Sequence, residues 1–193
     1  MWQGVSVIAK PTAELLTLEQ IKARVRIDAP DDDNLLPALV LGAIARIDGP
    51  SGVGYAMLPQ TWRKSMDCFP CRIILPGAPI KGIKSISYID ADGFSQTLPA
   101  TDYHADLDSE PVRVEPAYSK SWPSTRGVIG AVKVDYELGT EVADVPPDLV
   151  DVVCLIVAHR FKNRDAVIEG TVSDLPFGVE YILQEYRRAH VAA

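Results

Sequence analysis

The sequence has little of what marks the commoner functional classes. Only three cysteines occur in 193 residues. A small odd number excludes a disulfide framework and points to a reducing compartment. A chain of this length buries enough surface to fold without such staples. Long hydrophobic runs are missing too. The longest wholly apolar stretch, "VVCLIVA" at residues 152–158, has seven residues, too few to span a bilayer. The start "MWQGVSVIAK" has neither the basic opening nor the apolar core of a signal peptide, so none is expected. No region is basic. The net charge is −7, and Asp and Glu outnumber Lys and Arg in residues 1–59, 60–145 and 146–193 alike. A protein that grips phosphates usually concentrates its cations, so this argues against a nucleic-acid-binding module.

Catalytic patterns are absent as well. The three histidines, His104, His159 and His190, never fall at HExxH spacing, and there is no GxSxG elbow. Nothing assembles an acid, a base and a nucleophile. His159, where an apolar run turns polar ("AHRFKNR"), reads as a structural hydrogen-bonding group. What remains is ordinary globular material, 47% hydrophobic and 23% charged, enough for one domain or one domain with an insertion.

The pattern of that material changes twice. "TLEQIKARVRI" opens with Thr17 as N-cap and Gln20 three residues on, a capping box. Leu18, Ile21 and Val25 follow at helical spacing, and Asp28-Ala29-Pro30 ends this first helix. Asp31, Asp32 or Asp33 is expected to cap a second helix, whose apolar stripe runs Leu35, Leu36, Leu39, Val40, Ala43, Ile44, Ile47. Pro37 is tolerable there only near the first turn. Gly49-Pro50 stops it. Between residues 59 and 139 the period drops to two. "TWRKSMDCF", "CRIIL", "IKSISYI", "FSQTL", "DYHAD", "VRVEP" and "AVKVDYEL" are short strand-like segments punctuated by Pro and Gly. Asp92-Gly93 marks a hairpin. A third helix runs from Pro146 to about Arg164; its middle is apolar all round, so it is expected to be the central buried helix. The chain restarts at residues 172–176. A fourth helix, "FGVEYILQEYRR", places Val179, Ile182, Leu183 and Tyr186 on one face. The expected fold is α+β: a small bundle of two N-terminal and two C-terminal helices with an antiparallel β insertion between them. It is expected to form one domain over 1–193, with helices in 1–58, strands in 59–145 and helices in 146–193.

Three motifs suggest chemistry. "DCFPC" sets Cys68 and Cys71 two residues apart. A redox pair needs a helix N-terminus to hold the thiolate. This pair sits between strands beside Asp67, which opposes that. Structural zinc needs two more ligands. His104 and Cys154 have no motif spacing. The two cysteines therefore read as half-buried residues at a proline bend. "GPSGVGYA" (residues 49–56) imitates a phosphate loop, but Tyr55 and Ala56 stand where Lys and Ser/Thr are required, and a helix precedes it instead of a strand. It reads as a flexible linker. "DADG" lacks the third acid and distal Glu of a calcium loop and reads as a turn. No metal and no cofactor is expected. Among the aromatics, Trp62 on its alternating strand reads as core. Trp122 is either packing or interface, and for Tyr181 and Tyr186 both readings stay open.

Several segments together resemble one family. "LTLEQIKARVRIDAPDDDNLLPALVLGAIARID" resembles the opening of tailed-phage head–tail connector proteins, also called adaptors or head-completion proteins. "MLPQTWRKSMDCFP" resembles the Leu-Pro-x-Thr-Trp strand that follows their second helix. "IILPGAPIKGIKSISYIDADGFSQTLPATDY" is similar to their next strand and hairpin. "VPPDLVDVVCLIVAHRFKNRDAV" and "LPFGVEYILQEYRR" resemble the last two helices. The likeness runs in order over residues 17–188. Pro37 and the Gly-rich stretch at 49–54, where a longer helix is usual, depart from the pattern.

The resemblance implies a structural role and no catalysis. Such proteins form a ring, commonly a dodecamer, beneath the portal of a phage, prophage or gene-transfer-agent particle. The ring joins the portal protein to the next connector or tail protein, in the virion neck. DNA passes through the lumen only as cargo, and no membrane is involved. The subunit is made in the host bacterial cytoplasm. It also implies that the C-terminal segment from about Leu175 docks on the portal. Tyr181, Tyr186, Arg187 and Arg188 are the residues there suited to the contact, the alternative being that the apolar face of this helix closes the subunit's own core with the arginines solvated. The alternatives are a neighbouring tail-completion protein of the same particle, a CxxC thiol or zinc protein, and a nucleic-acid-binding module.

Overall fold

The computed structural model describes residues 4–26, 33–163 and 177–188. The described residues form an α+β fold, with four helices and antiparallel sheets. In chain order the elements are β1 (Val5–Ala9), α1 (Leu18–Val25), α2 (Leu36–Ile47), β2 (Gln60–Met66), β3 (Ile73–Leu75) and β4 (Ile80–Ile89). Then follow β5 (Ser95–Leu98), β6 (Tyr103–Asp106), β7 (Val112–Pro116), β8 (Val132–Leu138), α3 (Pro147–Lys162) and α4 (Phe177–Tyr186). Among the described residues no helix is long and apolar enough to cross a membrane.

The strands make two sheets, ordered β1-β2-β8-β4-β5 and β3-β7-β6. Their alternation explains the layering. In β8, Val132, Val134, Tyr136 and Leu138 are buried, while Lys133, Asp135 and Glu137 point the other way. Those four side chains, with Trp62, Ile86 and Leu98, meet Ile73, Leu75, Val112 and Val114 of the smaller sheet in one core. On the outer face Arg63 and Asp135, directly paired in register, form a two-pronged ion pair at 2.7 and 2.8 Å. Lys64 ties the sheets together by donating to the Ile74 carbonyl at 2.8 Å, and burial pulls its ammonium pKa down.

A second core belongs to the helices. α3 touches each of the other three and buries Leu149, Val152, Val153, Ile156 and Val157. It is not buried all round, as its apolar middle suggested, because Leu155 is 42% exposed. The other helices cover only the opposite side.

Local readings that rest on short-range chemistry recur in the fold. The Thr17 hydroxyl accepts from the Gln20 amide, and the Gln20 side chain accepts from the Thr17 amide at 2.9 Å. The Asp92-Gly93 turn closes β4 onto β5, with Gly93 at φ +97° and the Asp90 carboxylate accepting from the Phe94 amide at 2.8 Å. Pro37 lies in the first turn of α2, where it displaces no needed hydrogen bond.

Other readings are corrected. α2 has no acidic cap. Its N-cap position is Leu35, without a side-chain bond, and Asp33 instead pairs with Lys22 of α1 at 2.6 Å. Asp31 and Asp32 lie outside the described residues, as do the Asp28-Ala29-Pro30 stop, Arg164 and the restart at 172–176. The β layer is not one insertion, because β1 precedes the helices and pairs with β2. The Gly-rich stretch is no loose linker. Val53, Tyr55, Ala56 and Met57 are buried, Tyr55 bridges both Asp48 and Ala78, and a Cβ on Gly52 would overlap the Ile47 carbonyl. This segment passes between the two cores, and its compactness follows from that position.

Candidate functional site

The residues singled out for an interface lie on and just after α4. Val179 and Leu183 are buried in the helical core, with Ile182 and Tyr186 packed partly against it. The apolar face of α4 therefore covers the subunit's own interior. The opposite face carries Tyr181, which is 70% exposed.

The four predicted residues separate into two pairs. Tyr181 and Arg187 face outward, and Arg187, just past the end of α4, lies 3.7 Å from Glu180 of that helix. Tyr186 and Arg188 turn inward onto Tyr55. The Tyr186 ring meets that of Tyr55 edge-on, with centroids 5.5 Å apart at 78°. The Arg188 guanidinium lies over the Tyr55 ring, 5.9 Å from its centroid, within the range of a cation–π contact. The Arg188 amide donates to the Val53 carbonyl at 2.8 Å, and its Nε sits 2.5 Å from a carboxylate oxygen of Glu110. That approach is an ion pair and not a hydrogen bond.

Electrostatics follow the packing. Burial pushes the Tyr55 hydroxyl pKa up, with Tyr186 and Glu110 adding to the rise and Arg188 opposing it. Burial likewise raises Tyr186, helped by Asp148 and Glu185 and opposed by Arg188. Both phenols stay neutral. They serve here as apolar rings with a polar rim.

Sequence reading missed Tyr55 and Glu110. Tyr55 lay in the stretch taken for a linker, and Glu110 sits in the turn between β6 and β7, next to Pro111. No periodicity links either to Arg188. The one available signal was an aromatic residue inside a glycine-rich run, where a solvated linker would carry polar ones.

A second group of exposed apolar residues lies at the opposite pole. The ends of β2, β4 and the start of β8 point away from the helical core, since their other ends adjoin Met57, Ala78 and Thr140. At this far end Phe94 is 67% and Ile129 93% exposed, with Val128 nearby in sequence. The Arg126 amide donates to Ile89, joining that loop to the β4–β5 hairpin.

Cys68 and Cys71 are in the loop at this pole and are exposed, not half-buried. Phe69 between them stacks on Trp122 at 4.9 Å and 8°, and meets Tyr88 edge-on. Asp67 accepts from the Gly130 amide at 2.8 Å. Trp122 is thus packing, as Trp62 is in the sandwich core. Among the described residues no group of three or more His, Cys, Asp or Glu could hold a metal. His104 is exposed on β6, and the His159 carbonyl accepts from the side chain of Asn163, which caps α3. His190 lies outside the described residues.

No family model and no curated protein matches the chain. Solved structures do. The chain is similar to one from the neck of an empty GTA particle computed with C6 symmetry, at a TM-score of 0.76 and 21% identity over 97% of each chain. It is equally similar to one from the virion of a native gene transfer agent particle, at 0.76 and 20% over 97% of each. A chain from the neck of a native GTA particle computed with C12 symmetry gives 0.63 and 18%, covering 96% of this chain and 97% of that one. At these identities the likeness is one of fold, and it extends over nearly the whole of both chains.

Proposed function

We propose that this chain is a head–tail connector subunit, an adaptor that forms a ring in the neck of a tailed-phage, prophage or gene-transfer-agent particle. The observation that carries the reading is the whole-length fold likeness to chains of gene transfer agent necks and virions. A neck computed with twelvefold symmetry supports a ring of twelve copies. The role is structural and not catalytic. The ring sits between the portal protein and the next connector or tail protein, and DNA crosses it as cargo. An acidic subunit, at net −7, suits a lumen that should not retain phosphates. The subunit works as one connector domain, with helices from both chain ends carrying the β region.

Portal contact is assigned to the outward side of α4, centred on Tyr181 and Arg187. Tyrosine and arginine are among the residue types that most often carry interface energy. A neighbouring tail-completion protein of the same particle is the second reading, because it would occupy the same neck.

Mixing the protein with the portal from its own genome tests this. Sedimentation should show small species alone, since weak contacts close a ring only when many act together. With portal, a complex with twelve copies should form. A tight dimer that never joins the portal would overturn the reading. Within that assay Tyr181→Ala should weaken portal binding while leaving unfolding unchanged. Truncation before α4 is less informative, because it strips Val179 and Leu183 from the helical core.

A further inference from the structure

Tyr55, Glu110 and the Tyr186–Arg188 end of α4 come from three separate parts of the chain, and Arg188 touches both of the others. Its backbone reaches Val53, in the segment between the two cores. Its guanidinium reaches Glu110 of the smaller sheet's β6–β7 turn and the Tyr55 ring. Helix α4 makes its other contacts in the helical core. Arg188 is therefore the point where the C-terminal segment crosses from the helical half to the β half. The ion pair makes that crossing, and the contact with Tyr55, itself a member of the helical core, holds the guanidinium beside it.

We propose that Arg188 is an intramolecular latch. Closed, it locks the end of α4 across both halves of the subunit and keeps Arg188 away from any partner. Open, it releases the guanidinium, frees the Glu110 carboxylate and uncovers one face of Tyr55, while Tyr186 stays packed on the helical core. Residues of a docking surface thus divide by state. Tyr181 and Arg187 are presented at all times, whereas Arg188 is presented only when the latch opens. The latch lies within one subunit and holds whether or not the chain forms a neck ring.

The structure also sets what opening costs. Glu110 and Arg188 are partly exposed, so the ion pair is a modest, salt-sensitive contact. Local opening should then be far easier than global unfolding.

Hydrogen exchange on the full chain tests this, with amides of β8 reporting global unfolding and those of α4 and Arg188 reporting the latch. Glu110→Gln should speed exchange at Arg188 and the last turn of α4 by about two- to fivefold, the size expected of one partly exposed pair. Arg188→Ala, which also loses the ring contact, should reach about tenfold. β8 should not change in either. Glu110→Lys should exceed Glu110→Gln, since it sets a like charge beside Arg188. Adding Arg188→Glu should recover part of the lost protection, because the charge pairing returns while the Tyr55 ring contact does not. Unchanged exchange in Glu110→Gln, or no recovery in the charge-reversed pair, overturns the latch. Equal acceleration of β8 and α4 would make Arg188 a simple core-stability contact and would also overturn it. Glu110→Gln lies on an exposed turn and keeps the test available if a bolder variant fails to fold.

Discussion

Trp62 and Tyr136 face each other at directly paired positions of β2 and β8, with ring centroids 6.3 Å apart at 68°. Both are fully buried, and each sends its polar atom to a different place. The Tyr136 hydroxyl donates to the Pro76 carbonyl at 2.9 Å. The Trp62 indole donates to Gln60 at 2.7 Å, and the Gln60 amide in turn donates to both Asp48 oxygens at 3.0 Å. One aromatic pair thus links the sandwich core to the end of α2.

Tyr136→Phe should separate the ring from the hydroxyl. It keeps the packing and leaves the Pro76 carbonyl without its donor, at a cost of about 1–2 kcal/mol. Tyr136→Ala also opens a cavity between the sheets and should cost about 3–5 kcal/mol. Urea unfolding measures both. Equal losses in the two variants would show that the hydroxyl carries the stability.

Asp48 should make stability depend on pH with a sign opposite to that of most carboxylates. Burial pushes its carboxyl pKa up, against the hydrogen bonds from Gln60, Met57 and Gly49. The folded state therefore holds this proton more tightly than the unfolded chain does. Its stabilising contribution is fully present below the unfolded carboxyl pKa and is lost as pH rises through the folded value. Asp90 and Asp106 run the other way, since hydrogen bonds from Gln96 and from Arg113 lower them, but they are common to wild type and variant. The stability of Asp48→Asn relative to wild type should accordingly rise between about pH 4 and pH 7. Thermal unfolding of both proteins across that range checks it, and a flat or falling difference would contradict it.

Gly52→Ala should be costly although it adds one methyl group. Its Cβ would overlap the Ile47 carbonyl, backbone that cannot swing aside as a side chain would. The expected loss is about 2 kcal/mol or more in thermal unfolding. A neutral result would show that residues 49–54 form a yielding linker after all.

The cysteine motif should prove dispensable where its phenylalanine is not. Cys68→Ser with Cys71→Ser should leave unfolding within about 0.5 kcal/mol of wild type and copurify with no zinc. Phe69→Ala removes the stack on Trp122 and the edge contact with Tyr88, and should cost about 2–4 kcal/mol. Thiol titration of the native protein should show two fast groups and one slow. Cys154 is half-buried in α3, and burial pushes its thiol pKa up. Stoichiometric zinc in protein purified without added metal would contradict this reading.

Much of this protein was legible as sequence. The capping box at Thr17, the strand pattern of "AVKVDYEL", the Asp92-Gly93 hairpin and the shared face of Val179 and Leu183 are all local. Each depends on the period of the backbone or on a side chain reaching a few residues along the chain, so nearby residues are sufficient to decide them. Tertiary structure decided the rest. It placed β1 beside β2 ahead of the helices, divided the strands between two sheets, and turned Asp33 from a helix cap into a partner for Lys22. It packed the glycine-rich stretch between two cores and buried the Asp48 carboxyl there. It also divided Tyr181 and Arg187 from Tyr186 and Arg188, residues that look alike in the sequence. Tyr186 and Arg188 are drawn inward because Tyr55 and Glu110 await them on distant segments. Those partners are brought near by hydrophobic burial in both cores, which depends on the whole chain; Tyr186 shares the periodic face of its helix, but no periodic mark at Tyr55, Glu110 or Arg188 announces the meeting.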